Sequence, residues 1–170
     1  MVAGNELEKR TVEMAQKKGI TVHRLYKGDV ITLGDASIQV FRYWDIPNAN
    51  ARSMIERVQF GEASIWLTAD ITGLAQEYYV GALEPEVLKA DIMKVPHHGS
   101  KYSSSENFID VTKPVLAVFQ VGRNNYGHPS EEAINRYRET GCEVVRNDTG
   151  GAIGLIIGND KSFEVITMLN

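Results

Sequence analysis

Residues 91–108 read DIMKVPHHGSKYSSSENF, and the order of residue types in this stretch decides the kind of chain it belongs to. DIMKV, from Asp91 to Val95, is a short apolar run of the sort that forms a buried strand, and it ends at once in a proline, two histidines and a glycine. A rigid strand that stops at His97 and His98 leaves two imidazoles at a sheet end, where loops carry chemistry. The same construction occurs on either side. Upstream, SIWLT is followed by Ala69 and Asp70; downstream, VLAVFQV (Val115 to Val121) is followed by GRNNYGHPS, which holds His128. Three strand ends thus offer one carboxylate and three imidazoles, a donor set suited to zinc, manganese or iron(II).

Each residue alone has an ordinary explanation. An aspartate after a strand is a turn former or helix cap more often than not, and adjacent histidines on extended backbone point in different directions. His128 lies between a glycine and a proline in a turn, and His23 reads as an ordinary strand residue. The conjunction in this order carries the signal.

Further outward, Asn5 to Lys18 predicts an amphipathic helix with Leu7, Met14 and Ala15 toward one side, closed by Gly19. ITVHRLY (Ile20 to Tyr26), VITL (Val30 to Leu33) and SIQVFRYW (Ser37 to Trp44) predict a meander punctuated by glycine turns. Asp45 to Arg52 reads as a loop into the strands SMIERVQF and SIWLT. Gly73 to Lys89 and Ser105 to Val111 read as helices, and Pro129-Ser130-Glu131-Glu132 opens another that Gly141 closes. EVVR, AIGLIIG and SFEVIT follow as strands, separated by turns at Asp148 to Gly151 and Gly158 to Asp160. An antiparallel meander followed by strand–helix alternation gives an α/β or α+β layered fold, and 170 residues suit a single domain, 1–170.

Composition narrows the partners. With 43% hydrophobic and 24% charged residues the chain has the balance of a folded domain. Its 18 basic against 22 acidic residues give a net charge of −4, which argues against a general nucleic-acid coat protein but not against a metalloenzyme acting on phosphate esters. The single cysteine, Cys142, gives neither an internal disulfide nor a CxxC motif, and no run of about 18 apolar residues is present.

LTAD, VPHHGSKYSSSENF and VGRNNYGHPSEEAINRYRETGCEVVRNDTGGAI together resemble the metallo-β-lactamase-like domain at the C-terminal end of ComEC-type competence (DNA-uptake) proteins. GITVHRLYKGDVITLGDASIQVF extends the similarity over nearly the whole chain. The resemblance implies an αββα sandwich and a metal-dependent hydrolase of phosphodiesters, nuclease-like, with zinc or manganese in the complete domain. It implies Asp70 as the metal-bridging carboxylate of an LTGD motif, Ala69 standing where that family has glycine. His128 is implied as ligand of a second metal, and His97 and His98 as catalytic residues, general acid or phosphate contact, His98 also as a ligand. Ser100, Ser103, Ser104 and Asn125 are offered as phosphate contacts, the serines alternatively as a helix cap.

One motif of the family is missing. No HxHxDH or HxDxDH sequence occurs, so the expectation is an N-terminally truncated sandwich holding part of a dinuclear site, with MVAG as a leader. Such a chain is either a C-terminal piece of a larger domain or a shortened paralogue, inactive by itself and without bound metal. By resemblance its partners are DNA and the membrane channel of a parent protein, on the extracytoplasmic side. The competing expectation is a non-catalytic half-domain that binds a partner or forms a homo-oligomer through uncovered strands.

Overall fold

The computed structural model of the protein describes residues 6–43, 45 and 48–168. A seven-stranded sheet runs in chain order, β1 to β7. Its first half is the meander expected from the sequence: β1 (Val30–Leu33), β2 (Ala36–Phe41), β3 (Ile55–Phe60) and β4 (Ala63–Leu67) are antiparallel. From β4 onward the sheet turns parallel through β5 (Ile92–Lys94), β6 (Leu116–Phe119) and β7 (Glu143–Arg146). The change follows from the connections, because tight glycine turns reverse a strand whereas a crossover through helices returns it in the same direction.

Those crossovers are α2 (Gly73–Ala82) with α3 (Pro85–Leu88), α4 (Glu106–Thr112) and α5 (Glu131–Glu139). Ser105 and Ser130 cap α4 and α5 by accepting from the amides of Phe108 and Ala133. Their apolar faces cover one side of the sheet: Ala75, Tyr79, Phe108, Ile109, Ile134 and Tyr137 join Trp66, Met93, Ala117 and Phe119 in a single core. Trp66 is 1% exposed and its indole N–H donates to the Leu88 carbonyl at 2.9 Å. Removing that side chain would cost about 3–5 kcal/mol.

On the other side the hairpin β8 (Ile153–Ile157) and β9 (Phe163–Thr167) lies against the sheet as a separate two-stranded layer. The amide of Glu62 donates to the Asn159 carbonyl, and the Lys161 ammonium stands 3.5 Å from Asp91. Between hairpin and sheet is a cavity of about 410 Å³ lined by Ile65, Leu67, Ile92, Val118, Ile153 and Leu155, among others.

Three expectations need correction. Residues 20–26 form no strand: they are mostly exposed and pair with nothing in the sheet, so hydrophobic alternation had no partner to act on. The helix expected from Gly73 to Lys89 breaks into α2 and α3, because Pro85 cannot continue a helix and instead opens the next one. The Asp148 to Gly151 turn is mostly a one-turn helix, α6 (Asn147–Gly150). The N-terminal helix α1 (Glu6–Lys17) is present but buries none of its residues, Leu7 and Met14 included. Asn5 and the MVAG leader, Trp44 at the end of the expected third strand, and Ile46 and Pro47 in the expected loop lie outside the described residues. No helix among the described residues is long and apolar enough to cross a membrane.

Candidate metal and phosphodiester site

The parallel half of the sheet determines where the histidines go. Leu67, Lys94 and Val118 are paired across β4, β5 and β6, so the loops leaving these strands start level with one another. Asp70 and His97 each lie three residues beyond a paired position, and His128 lies on the loop that follows β6. Carboxyl ends of adjacent parallel strands are where open α/β sheets bind ligands.

Backbone conformation then aims the side chains. Ala69, His97 and His98 all have positive φ, at 46°, 48° and 54°, a region that L-residues rarely occupy. The left-handed Ala69 turns its carbonyl inward, where it accepts from the His97 amide at 3.0 Å and from the Lys94 ammonium at 2.9 Å. Thr68 bonds back to the Lys94 carbonyl, so the Asp70 turn and the histidine turn are fastened together. Burial lowers the Lys94 pKa, and the charge of Asp70 opposes that shift.

Asp70 and His98 meet, with Oδ1 and Nε2 3.5 Å apart. The other ring nitrogen of His98, Nδ1, lies 2.7 Å from the Gln120 carbonyl. A carbonyl only accepts, so Nδ1 carries the hydrogen, and it is Nε2 that faces the carboxylate. His97 contacts the Ser103 hydroxyl through Nδ1 at 3.4 Å, and its ring centroid lies 5.7 Å from that of His128. Burial, then the neighbouring His97 and His98 rings, lower the His128 pKa from the usual histidine value.

Thus Asp70, His97, His98 and His128 gather in one corner. Even so, the described residues contain no group of three or more histidine, cysteine or acidic side chains spaced to hold a metal ion. The Asp70–His98 contact brings together two candidate ligand atoms, fewer than such a group requires. Ser100, Ser103 and Ser104 are buried, at 2%, 0% and 0% exposure, and the Ser104 hydroxyl accepts from Tyr137. Asn125 is exposed.

Two contributors escaped the sequence reading. Lys94 looks like one more residue of a strand, yet its ammonium is the clasp on Ala69. Asn124, next to the residue that was singled out, holds the His128 loop: its Nδ2 donates to the carbonyls of Gly122 and His128, and its Oδ1 accepts from the amides of Tyr126 and His128. A tract of Gly, Asn and Pro signals a loop, and nothing in the sequence says which asparagine turns inward.

ComE operon protein 3 of Bacillus subtilis (strain 168) is 29% identical to this chain over 149 residues, covering 86% of the chain and 19% of the relative. Competence protein ComA of Neisseria gonorrhoeae is 34% identical over 110 residues, covering 64% of the chain and 16% of the relative. The chain is a relative of the ComEC-type competence proteins. It spans less than a fifth of the length of either protein. No family model matches it. Among solved structures, the metallo-β-lactamase fold protein YhfI from Bacillus subtilis aligns with a TM-score of 0.51 at 13% identity, over 79% of this chain and 58% of that one. CmlA, a diiron β-hydroxylase from Streptomyces venezuelae, aligns with a TM-score of 0.55 at 15% identity, over 79% of this chain and 35% of that one. This chain therefore has the metallo-β-lactamase fold.

Proposed function

We propose that this ComEC relative is a hydrolase domain for phosphodiesters, working in DNA uptake with a divalent cation bound between Asp70 and His98, and that its own residues supply only part of the metal centre. The supporting observation is the Asp70–His98 contact. A carboxylate oxygen faces the imidazole nitrogen that is not committed to the Gln120 carbonyl, an arrangement that suits a positive charge between or on them. Two ligands each about 2.1 Å from a tetrahedral zinc stand about 3.4 Å apart, close to the 3.5 Å observed. The Gln120 carbonyl fixes the His98 tautomer as outer partners of metal-binding histidines do.

A cation there would supply Lewis acidity and an activated water. The chain's own residues do the rest. Lys94 and the His97 amide hold the Ala69 carbonyl and so fix the Asp70 turn. His97, steadied by Ser103, is placed to hold or give up a proton, His128 adds a second imidazole, and Asn125 stands open to a phosphate. With two convergent ligands in place of the three or four of a catalytic zinc site, the isolated chain binds metal weakly and turns nothing over.

Titration of the chain with Zn²⁺ and Mn²⁺ by calorimetry, alongside hydrolysis of bis(p-nitrophenyl) phosphate and single-stranded DNA, tests both halves. The expected result is weak binding abolished in Asp70→Ala and reduced in His128→Ala, with no hydrolysis. A double variant that binds metal as tightly as the parent overturns the ligand assignment; turnover lost in Asp70→Ala overturns the incomplete centre.

A second reading is favoured by the far side of the sheet. Leu67 is 40% exposed at the cavity, and Ile156 and Ile166 on the hairpin are 58% and 45% exposed. A non-catalytic half-domain that self-associates through these residues would give a dimer in sedimentation whose mass chelator does not change.

A further inference from the structure

We propose that the rim of this corner is a stacking surface for single-stranded nucleic acid, with Tyr102 and Tyr126 as the platforms and Lys101, Arg123 and Arg136 as contacts to the strand's phosphates. The inference rests on the phosphodiester reading above and names the form of its substrate.

Tyr102 and Tyr126 are 76% and 84% exposed, and each sits on one of the two histidine loops. A ring left in water that far gives nothing to the core, and neither loop needs it to fold. The Tyr126 centroid lies 6.0 Å from that of His128 at an interplanar angle of 30°, and the His128 ring lies 5.7 Å from His97. Flat rings therefore lead from the rim to the catalytic corner. Tyr102 is the neighbour of Ser103, whose hydroxyl touches His97 within the same β5–α4 loop. The Lys101 ammonium lies 5.1 Å from the Tyr102 centroid, and beside them is a hollow of about 300 Å³ walled by Gly73, Ser105, Glu106 and Arg136 as well.

Both platforms stand on fixed backbone. The Tyr102 carbonyl accepts from the Gly73 amide at 3.1 Å, and Arg136 donates to the carbonyls of Lys101 and Ser104 at 3.1 and 3.2 Å. On the other loop the Tyr126 amide donates to Asn124 at 2.9 Å. Rings presented on fixed loops lose little entropy on binding.

Base stacking needs a free base face, which a duplex does not present away from its ends. Stacking also suits the charge. A chain of net charge −4 has no broad basic surface, and three cations at the rim give a salt slope of only about −2 for a single strand.

Fluorescence anisotropy of a labelled thymidine oligonucleotide against the full chain tests this without requiring turnover. Tyr102→Ala/Tyr126→Ala should weaken binding about tenfold or more, since stacking is worth about 1–3 kcal/mol per base, while the phenylalanine double variant keeps the parent's affinity. Duplex of the same length should bind at least tenfold more weakly. Absence of oligonucleotide binding by the parent, unchanged affinity in the alanine double variant, or equal affinity for duplex overturns the proposal. Calorimetric metal titration of the same variants separates the two ideas: loss of oligonucleotide with metal uptake indifferent to Asp70→Ala sustains the rim and removes the metal reading, and the reverse pattern removes the rim alone.

Discussion

The Nε2 of His98 faces the carboxylate of Asp70 at 3.5 Å while its Nδ1 is committed to the Gln120 carbonyl at 2.7 Å. The pair joins the loops of two adjacent parallel strands, and Gln120, the residue just past β6, supplies the carbonyl that orients the ring. In nitrogen-15 correlation spectra the neutral His98 ring should therefore be the Nδ1–H tautomer, and Zn²⁺ should shift Nε2. An Nε2–H tautomer would show that Asp70 is merely accepting a hydrogen bond and that no cation belongs there.

Ala69 is the residue at which this chain departs from the LTGD pattern, and its φ of 46° explains why glycine suits that place. Left-handed backbone costs an alanine about 1–2 kcal/mol, offset in part by the greater unfolded-state freedom of glycine. Ala69→Gly should stabilise the protein by about 0.5–1 kcal/mol, a rise in Tm of about 1–4 °C. The carbonyl contacts to Lys94 and His97 need no side chain at this position, so metal affinity should be unchanged; a fall in Tm would show that the methyl group packs.

Gly99 couples the two histidine loops. Its φ is 78°, its carbonyl accepts from the Ser130 amide, and a Cβ there would lie 2.7 Å from the Phe119 ring and 2.8 Å from Pro129. Gly99→Ala combines strained backbone with a clash in a closed core, and should cost about 3 kcal/mol or more by chemical denaturation. Because Pro129 adjoins His128, histidine resonances of both loops should move together; a change confined to His97 and His98 would mean that the loops are independent.

Much of this architecture is legible in the sequence where one residue type has a single structural use. The glycine turns of the meander, the openings of α4 and α5 and the apolar runs of β5 and β6 appear where they are expected, and the strand-end rule brings Asp70 and all three loop histidines to one corner. One pattern that depends on a partner was misleading: residues 20–26 alternate like a strand but pair with none of the described strands. The Lys94 and Asn124 roles were invisible because each is a matter of side-chain direction, set by tertiary contacts that periodicity does not encode.

Asp148 and Arg146 form a two-pronged pair at the end of β7, with distances of 3.1 and 2.7 Å. The arginine hydrogen bond holds the Asp148 carboxyl below the ordinary aspartate range. A depressed carboxylate adds stability that is present above its unfolded-state pKa and is lost as pH falls through the folded value. Both side chains keep contact with solvent, so the contribution is at most about 1 kcal/mol. Asp148→Asn should lower stability by that amount at pH 7, and the loss should shrink as pH falls through the folded value, as read from urea midpoints along an acid series. An equal loss along the whole series would assign the effect to geometry and not to charge.

Asn124 closes the 122–128 loop on itself with four hydrogen bonds, two of them to the backbone of His128. Replacing it removes every one and leaves partly buried backbone groups without partners, a loss of about 1–3 kcal/mol. Asn124→Ala should therefore lower Tm, weaken any metal binding that depends on His128 and reduce oligonucleotide affinity through the loosened Tyr126, all in one variant. Asn125→Ala, one residue along and exposed, should leave Tm alone and act only on phosphate binding. Identical behaviour of the two variants in thermal melts would show that the loop is held by its backbone and that Asn124 has no organising role.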